Sequence, residues 1–241
     1  MPGSPVVLAA RQVRKEYGGL RPLRIEQLSL YVGESVALVG FDQPSAQVLV
    51  DLLTGAVAPD SGEVELFGAS TATIADADAW LAMLDRVGIL SGRAVLLDML
   101  SVEQNLALPF TLDLHALPME VRTRVQALAA EVGLEPAHLG QAVAAVPAAV
   151  SLRVRLGRAL AQEPTLLVAE HPNALVDGAD VLALAADLRA LVERRGLASL
   201  IVTADAAFAA AVAPRVLVFE PATGDLTERR SWAQRLTGWR R

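Results

Sequence analysis

Residues 37–55 read ALVGFDQPSAQVLVDLLTG. An aliphatic run stops at Gly40, a polar turn follows, and from Ser45 the apolar residues return at helical spacing, closed by Gly55. A strand feeding a helix through a tight loop is the scaffold on which many proteins hold nucleotide phosphates. This loop has no lysine, however, and Gly40 is its one glycine. The order of elements around it predicts an α/β fold, while its chemistry argues against the ligand such a loop usually holds.

The same alternation extends along the chain. SVALVG (35–40), TLLVAE (165–170), ASLIVTAD (198–205) and PRVLVFE (214–220) read as buried strands, and DRVGIL (85–90) as a further one. PVVLAARQVRKEY (5–17) and RPLRIEQLSLYV (21–32) read as an early antiparallel pair, and PDSGEVELFG (59–68) as a turn and strand. Helices are expected over 45–55, 118–134, 151–164 and the later part of 174–196, with residues 69–139 mostly helical apart from DRVGIL. The fold class is therefore α/β: a mostly parallel sheet with an antiparallel β subdomain and an inserted helical subdomain over about 86–165. The organisation is one domain over 1–220 and a basic, tryptophan-containing tail over 221–241.

Composition narrows the function classes. Hydrophobic residues make up 53% of the 241 positions and aromatics only 4%, so the core must be aliphatic. There is no cysteine, which removes disulfides, thiolate metal sites and thiol nucleophiles. No window approaches the ~20 apolar residues a membrane span needs, and no signal peptide is read at the start, so a soluble cytoplasmic protein is expected. Lys15 is the only lysine among 21 basic residues, and no basic residue stands between Arg24 and Arg86. Ten carboxylates, from Glu26 to Asp85, fall in that window. Such a field repels polyanions, so no nucleic-acid partner is expected.

Four fragments, LTGAVAPDSGEVELFG (53–68), LSVEQNLALPF (100–110), GRALAQEPTLLVAEHP (157–172) and IVTAD with APRVLVFE (201–205, 213–220), resemble the nucleotide-binding domain of ATP-binding cassette (ABC) transporters in order and spacing over residues 6–220. The phrasing of LALPF and LLVAEHPNALVD is similar to the subgroup serving lipid, lipoprotein and macrolide export. The resemblance implies an ATP and Mg²⁺ site and a cytoplasmic subunit, peripheral at the inner face of the membrane. It also implies a permease subunit or a second ABC ATPase-like subunit as partner.

Carried onto this chain, the family's site positions are mostly emptied of their chemistry. In the phosphate loop only Gly40 and a polar residue, Asp42, match; Ala46 stands in place of the lysine and Gln47 in place of the magnesium-holding hydroxyl. Pro44 offers no N–H. The metal-orienting aspartate becomes Glu170 and the water-polarising glutamate His171. Gly92 replaces the switch glutamine and Ala204 the histidine after the last core strand. Pro147, Ala148 and Ala149 replace the serine and glycines of the signature. Tyr17, where an aromatic stacks on adenine, and Asp177 of the inter-subunit loop still match, although a tyrosine ending a strand is equally well explained by packing.

Charge-assisted hydrogen bonds contribute roughly 1.5–3 kcal/mol each. Losing about three costs roughly 4–9 kcal/mol, against about 8 kcal/mol for a micromolar ligand. A catalytically inactive subunit without cofactor or metal is therefore expected. The alternatives are a divergent ATPase using Glu170, His171 and Gln47, and a soluble scaffold with no permease. Residues 93–110 fall where the family receives a permease helix, or else are simply core. In the tail, Trp232, Leu236 and Trp239 share a helical face among arginines, suited to docking on the domain itself, on a partner helix or on a membrane surface.

Overall fold

The computed structural model describes residues 5–73 and 76–229; most of the predicted tail, 230–241, lies outside the described residues. Two sheets organise the chain. Strands β1 (Val6–Lys15), β2 (Leu23–Tyr31), β4 (Ser61–Leu66) and β5 (Ala69–Ser70) form an antiparallel sheet in the order β2-β1-β4-β5. The second sheet contains β3 (Ser35–Val39), β6 (Val87–Ser91), β7 (Leu166–Glu170), β8 (Ala198–Thr203), β9 (Arg215–Phe219) and β10 (Leu226–Glu228). Its order is β10-β9-β3-β8-β7-β6, parallel throughout except for the β10 edge.

Both faces of the parallel sheet are covered, so the middles of its central strands are apolar on both faces. Val36, Leu38, Leu166, Val168, Leu200 and Val202 face the antiparallel sheet and helix α1 (Gln43–Leu53), while Ala37, Leu167, Ala169 and Ile201 face the remaining helices. Those are α3 (Val102–Ala107), α4 (Met119–Glu131), α5 (Pro136–Leu139), α6 (Ala148–Leu160), α7 (Val181–Arg195) and α8 (Ala206–Val212); α2 (Ala77–Leu84) lies by β6. The expected strands and their parallel and antiparallel pairing are present.

Three expectations are corrected. The segment 69–139 is less helical than its apolar content suggests: 92–101 and 108–118 are irregular, and only α3 interrupts them. Helix α1 begins two residues early because Asp42 caps it and Pro44, with φ preset, suits the first turn. Helix α8 and strand β10, absent from the sequence reading, form after Asp205, whose carboxylate accepts from the amides of Ala207 and Phe208, and after the Gly224 turn.

Five of the window's ten carboxylates are paired from outside it. Glu34 pairs with Arg215, Asp51 with Arg93, Asp60 with Lys15, and Glu63 and Glu65 with Arg11. Lys15 is thereby tied to Asp60.

Candidate functional site

The carboxyl ends of β3 and β7 and the start of α1 meet at one edge of the parallel sheet, the usual place for a ligand in an open α/β sheet. Gly40 leaves β3 with φ +105°, and a Cβ there would sit 2.8 Å from the carbonyl oxygen of Phe219. Glycine is retained because β9 passes close by. The next residue, Phe41, is buried and stacks on Phe219 with ring centroids 4.1 Å apart, a core contact that the sequence reading did not find.

Asp42 then closes the helix. Its carboxylate accepts from the Ser45 amide at 2.9 Å and from the Ser45 hydroxyl, and these hold it below the usual carboxylate range, with His171 nearby lending a minor share. The positive end of α1, which the scaffold would turn toward a phosphate, faces a carboxylate of its own chain. Ala46 is fully buried, with its methyl in the core between the sheets, and Gln47 is exposed.

Gln43, Gln47 and Asp51 fall four residues apart on one face of α1. Glu170 is 2% exposed and accepts hydrogen bonds from three side chains. Gln43 Nε2 donates to its Oε1 at 2.5 Å, while Ser91 Oγ at 3.0 Å and Arg93 Nε at 3.2 Å donate to its Oε2. Arg93 also reaches Asp51 Oδ1 with Nη2 at 3.1 Å. Burial alone would lower the Arg93 pKa, but Glu170 and Asp51 together leave it raised. The acidic window supplies no cation of its own to this site. The cation comes from residue 93, outside the acidic window, through the register that sets Ser91 beside Glu170 on β6 and β7.

The neighbouring predicted positions are placed as follows. His171 has φ +44°, is 8% exposed and donates its amide to Val202 O at 2.8 Å; its Nε2 is buried without a partner. Gly92 is exposed beside Leu175, and Ala204 lies exposed between β8 and α8. Pro147 stands at the N-cap position of α6 without a side-chain cap, with Ala148 and Ala149 in the first turn at the surface. Asp177 is exposed ahead of a short 3-10 turn. Tyr17 faces Asp42, Pro44, Ser45, Leu23 and Phe219 across a cleft of about 590 Å³, and burial with the Asp42 charge pushes its hydroxyl up. The fold therefore gathers Asp42, Gln43, Glu170, His171 and Arg93, with Tyr17 across the cleft.

The comparisons agree with this fold. No protein-family model matches the chain. The aliphatic sulfonates import ATP-binding protein SsuB 2 of Pseudomonas fluorescens is 30% identical over 219 residues, covering 89% of this chain and 74% of that protein. The chain belongs to the ATP-binding cassette family. The methionine import ATP-binding protein MetN of Brucella abortus is 26% identical over 218 residues, 90% of this chain. The chain spans only 58% of that relative's length.

Among solved structures, CbiO1 of Clostridium perfringens, part of the ABC transporter complex CbiONQ, superposes with TM-score 0.77 at 20% identity, over 92% of this chain and 87% of that one. The cassette MJ0796 bound to ADP and phosphate gives 0.75 at 21% identity, over 93% and 100%. These two show the fold. The relatives reported are named for import, which lends nothing to the export-type subgroup expected from the phrasing.

ABC cassettes imply a magnesium nucleotide. The residues at this cassette's phosphate end do not fit one. Position 46 carries a buried methyl, the helix end is capped by Asp42, and the oxygens of Glu170 already accept from Gln43, Ser91 and Arg93.

Proposed function

We propose that the chain is the cassette subunit of a membrane transport complex whose phosphate site holds no magnesium nucleotide, so that it contributes a docking surface to a permease or a second cassette subunit. The observation that carries this reading is the closed set of partners around Glu170 and Asp42: opening it leaves a buried carboxylate uncompensated, and nothing at Ala46 offsets that cost. On this reading residues 86–165 act as the helical subdomain of the cassette and the protein works at the cytoplasmic face of the membrane. Among the described residues, no helix is long and apolar enough to cross one.

The test is a titration of the purified chain with a fluorescent ATP analogue, with Mg²⁺ and with EDTA. No saturable Mg²⁺-dependent binding is expected up to about 1 mM, where binding is worth only about 4 kcal/mol. Micromolar, Mg²⁺-dependent binding overturns the reading.

A second reading, a divergent ATP-binding subunit, is favoured by the relatives, each of which is named an ATP-binding protein. The cleft at Tyr17 also supports it, being roomy and intact. Glu170, His171 and Gln47 would then be its site residues, and Arg93 would have to release Glu170 on binding. The same titration separates the two. Recovery of an integral membrane protein in a pull-down from native membranes distinguishes both from a soluble scaffold.

A further inference from the structure

The segment 92–101 leaves β6 and enters the helical layer with little regular structure of its own. It is held to that layer by side chains. Arg155 Nε donates to Ala94 O at 3.1 Å, and Arg158 Nη1 to Val95 O at 2.6 Å, both from α6. From α3, fully buried Asn105 donates to Leu97 O and Ser101 O and accepts from the Leu97 amide at 2.9 Å. The segment is therefore tied to α3 and α6.

On its other side, Arg93 donates to Glu170 at the end of β7 and to Asp51 on α1. One guanidinium bridges two carboxylates on two elements, one of them buried, in a fork that lysine cannot reproduce.

We propose that Arg93 is the positioning residue of this joint: shared between Glu170 and Asp51, its guanidinium fixes the segment 92–101, and with it α3 and α6, against α1 and β7. The tie is built into the chain and needs no ligand. It goes beyond the functional reading above, since it concerns how the helical layer is held, whatever the layer docks on.

Hydrogen exchange followed by mass spectrometry on the full chain tests it, using R93M, R93K, E170Q and the double variant R93M/E170Q. The amides of Arg93, Ala94, Leu97 and Leu100 have partners and so report on the joint. R93M is expected to speed exchange across 92–101 by about tenfold or more, each tenfold being about 1.4 kcal/mol of local opening, and to leave β8 unchanged. R93K, which keeps the charge but not the fork, is expected between R93M and wild type. R93M/E170Q is expected to exchange more slowly than R93M, because it leaves no buried carboxylate alone.

Exchange in R93M that matches wild type, or that rises evenly over the whole chain, overturns the proposal. Should R93M fail to fold, R93K decides: local acceleration supports the joint, and no change overturns it. Tight Mg²⁺-dependent nucleotide binding by the wild type would sink the functional reading above while leaving these exchange rates to judge Arg93.

Discussion

Asp42 is a polar residue at a position where the family tolerates one, and its identity alone suggested only an extra negative charge. In the structure it is the N-cap of α1, accepting from the amide and hydroxyl of Ser45. D42A is expected to cost about 1 kcal/mol in urea unfolding at neutral pH, the usual worth of such a cap. Because the folded carboxyl is held below its ordinary range, that stabilisation is present above the ordinary carboxylate pKa and fades as pH falls through the folded value. Gly40 carries a similar lesson. It reads as a survivor of a phosphate loop, yet its positive φ and the 2.8 Å approach of Phe219 O explain it through packing alone.

Helices α4 and α7 are joined by a fork. Arg195 Nε and Nη2 donate to the two oxygens of Glu131 at 2.6 and 2.5 Å, and both side chains are largely covered. The hydrogen bond from Arg195 holds the Glu131 carboxyl below its ordinary value of 4.5 against the opposing effect of burial. A group with a depressed folded pKa stabilises the protein above its unfolded pKa and loses that contribution as pH falls. E131Q should therefore lie about 1 kcal/mol below wild type at pH 7, and the two should converge below pH 4.5. Parallel acid-unfolding curves for the two proteins would contradict this. The helices themselves were readable from periodicity, as the closing of α4 at Gly133 and α7 at Gly196 shows, both glycines in the left-handed region. The irregular stretch 92–101 was not. Its run of apolar residues (Val95, Leu96, Leu97, Met99 and Leu100) suggested helix by content alone, yet Val95, Leu97 and Met99 are exposed, and side chains from α3 and α6 hold the backbone.

The two cores share one wall, the parallel sheet, so its central strands should govern the stability of the entire chain. Leu38 on β3 is fully buried between the sheets, and L38A is expected to cost about 2–5 kcal/mol, lowering the midpoint of thermal unfolding followed by circular dichroism. The α/β order, the two sheets and the family were all open to a reading of the chain. Strand and helix periods are local, and the fragments around 53–68 and 157–172 lie within single strand–helix passages. The missing lysine and hydroxyl at Ala46 and Gln47 were equally visible, since a residue's identity needs no coordinates. What the chain by itself could not decide is who answers the charge of Glu170. Arg93 stands 77 residues from Glu170 and 42 from Asp51, and they meet only because β6 and β7 are parallel neighbours in the register that pairs Ser91 with Glu170. A charge pair across that separation is a product of topology. The identities of Ala46 and Gln47 were therefore legible in the sequence, while the arginine, glutamine and serine that donate to Glu170 were assigned only by the packing of the sheet.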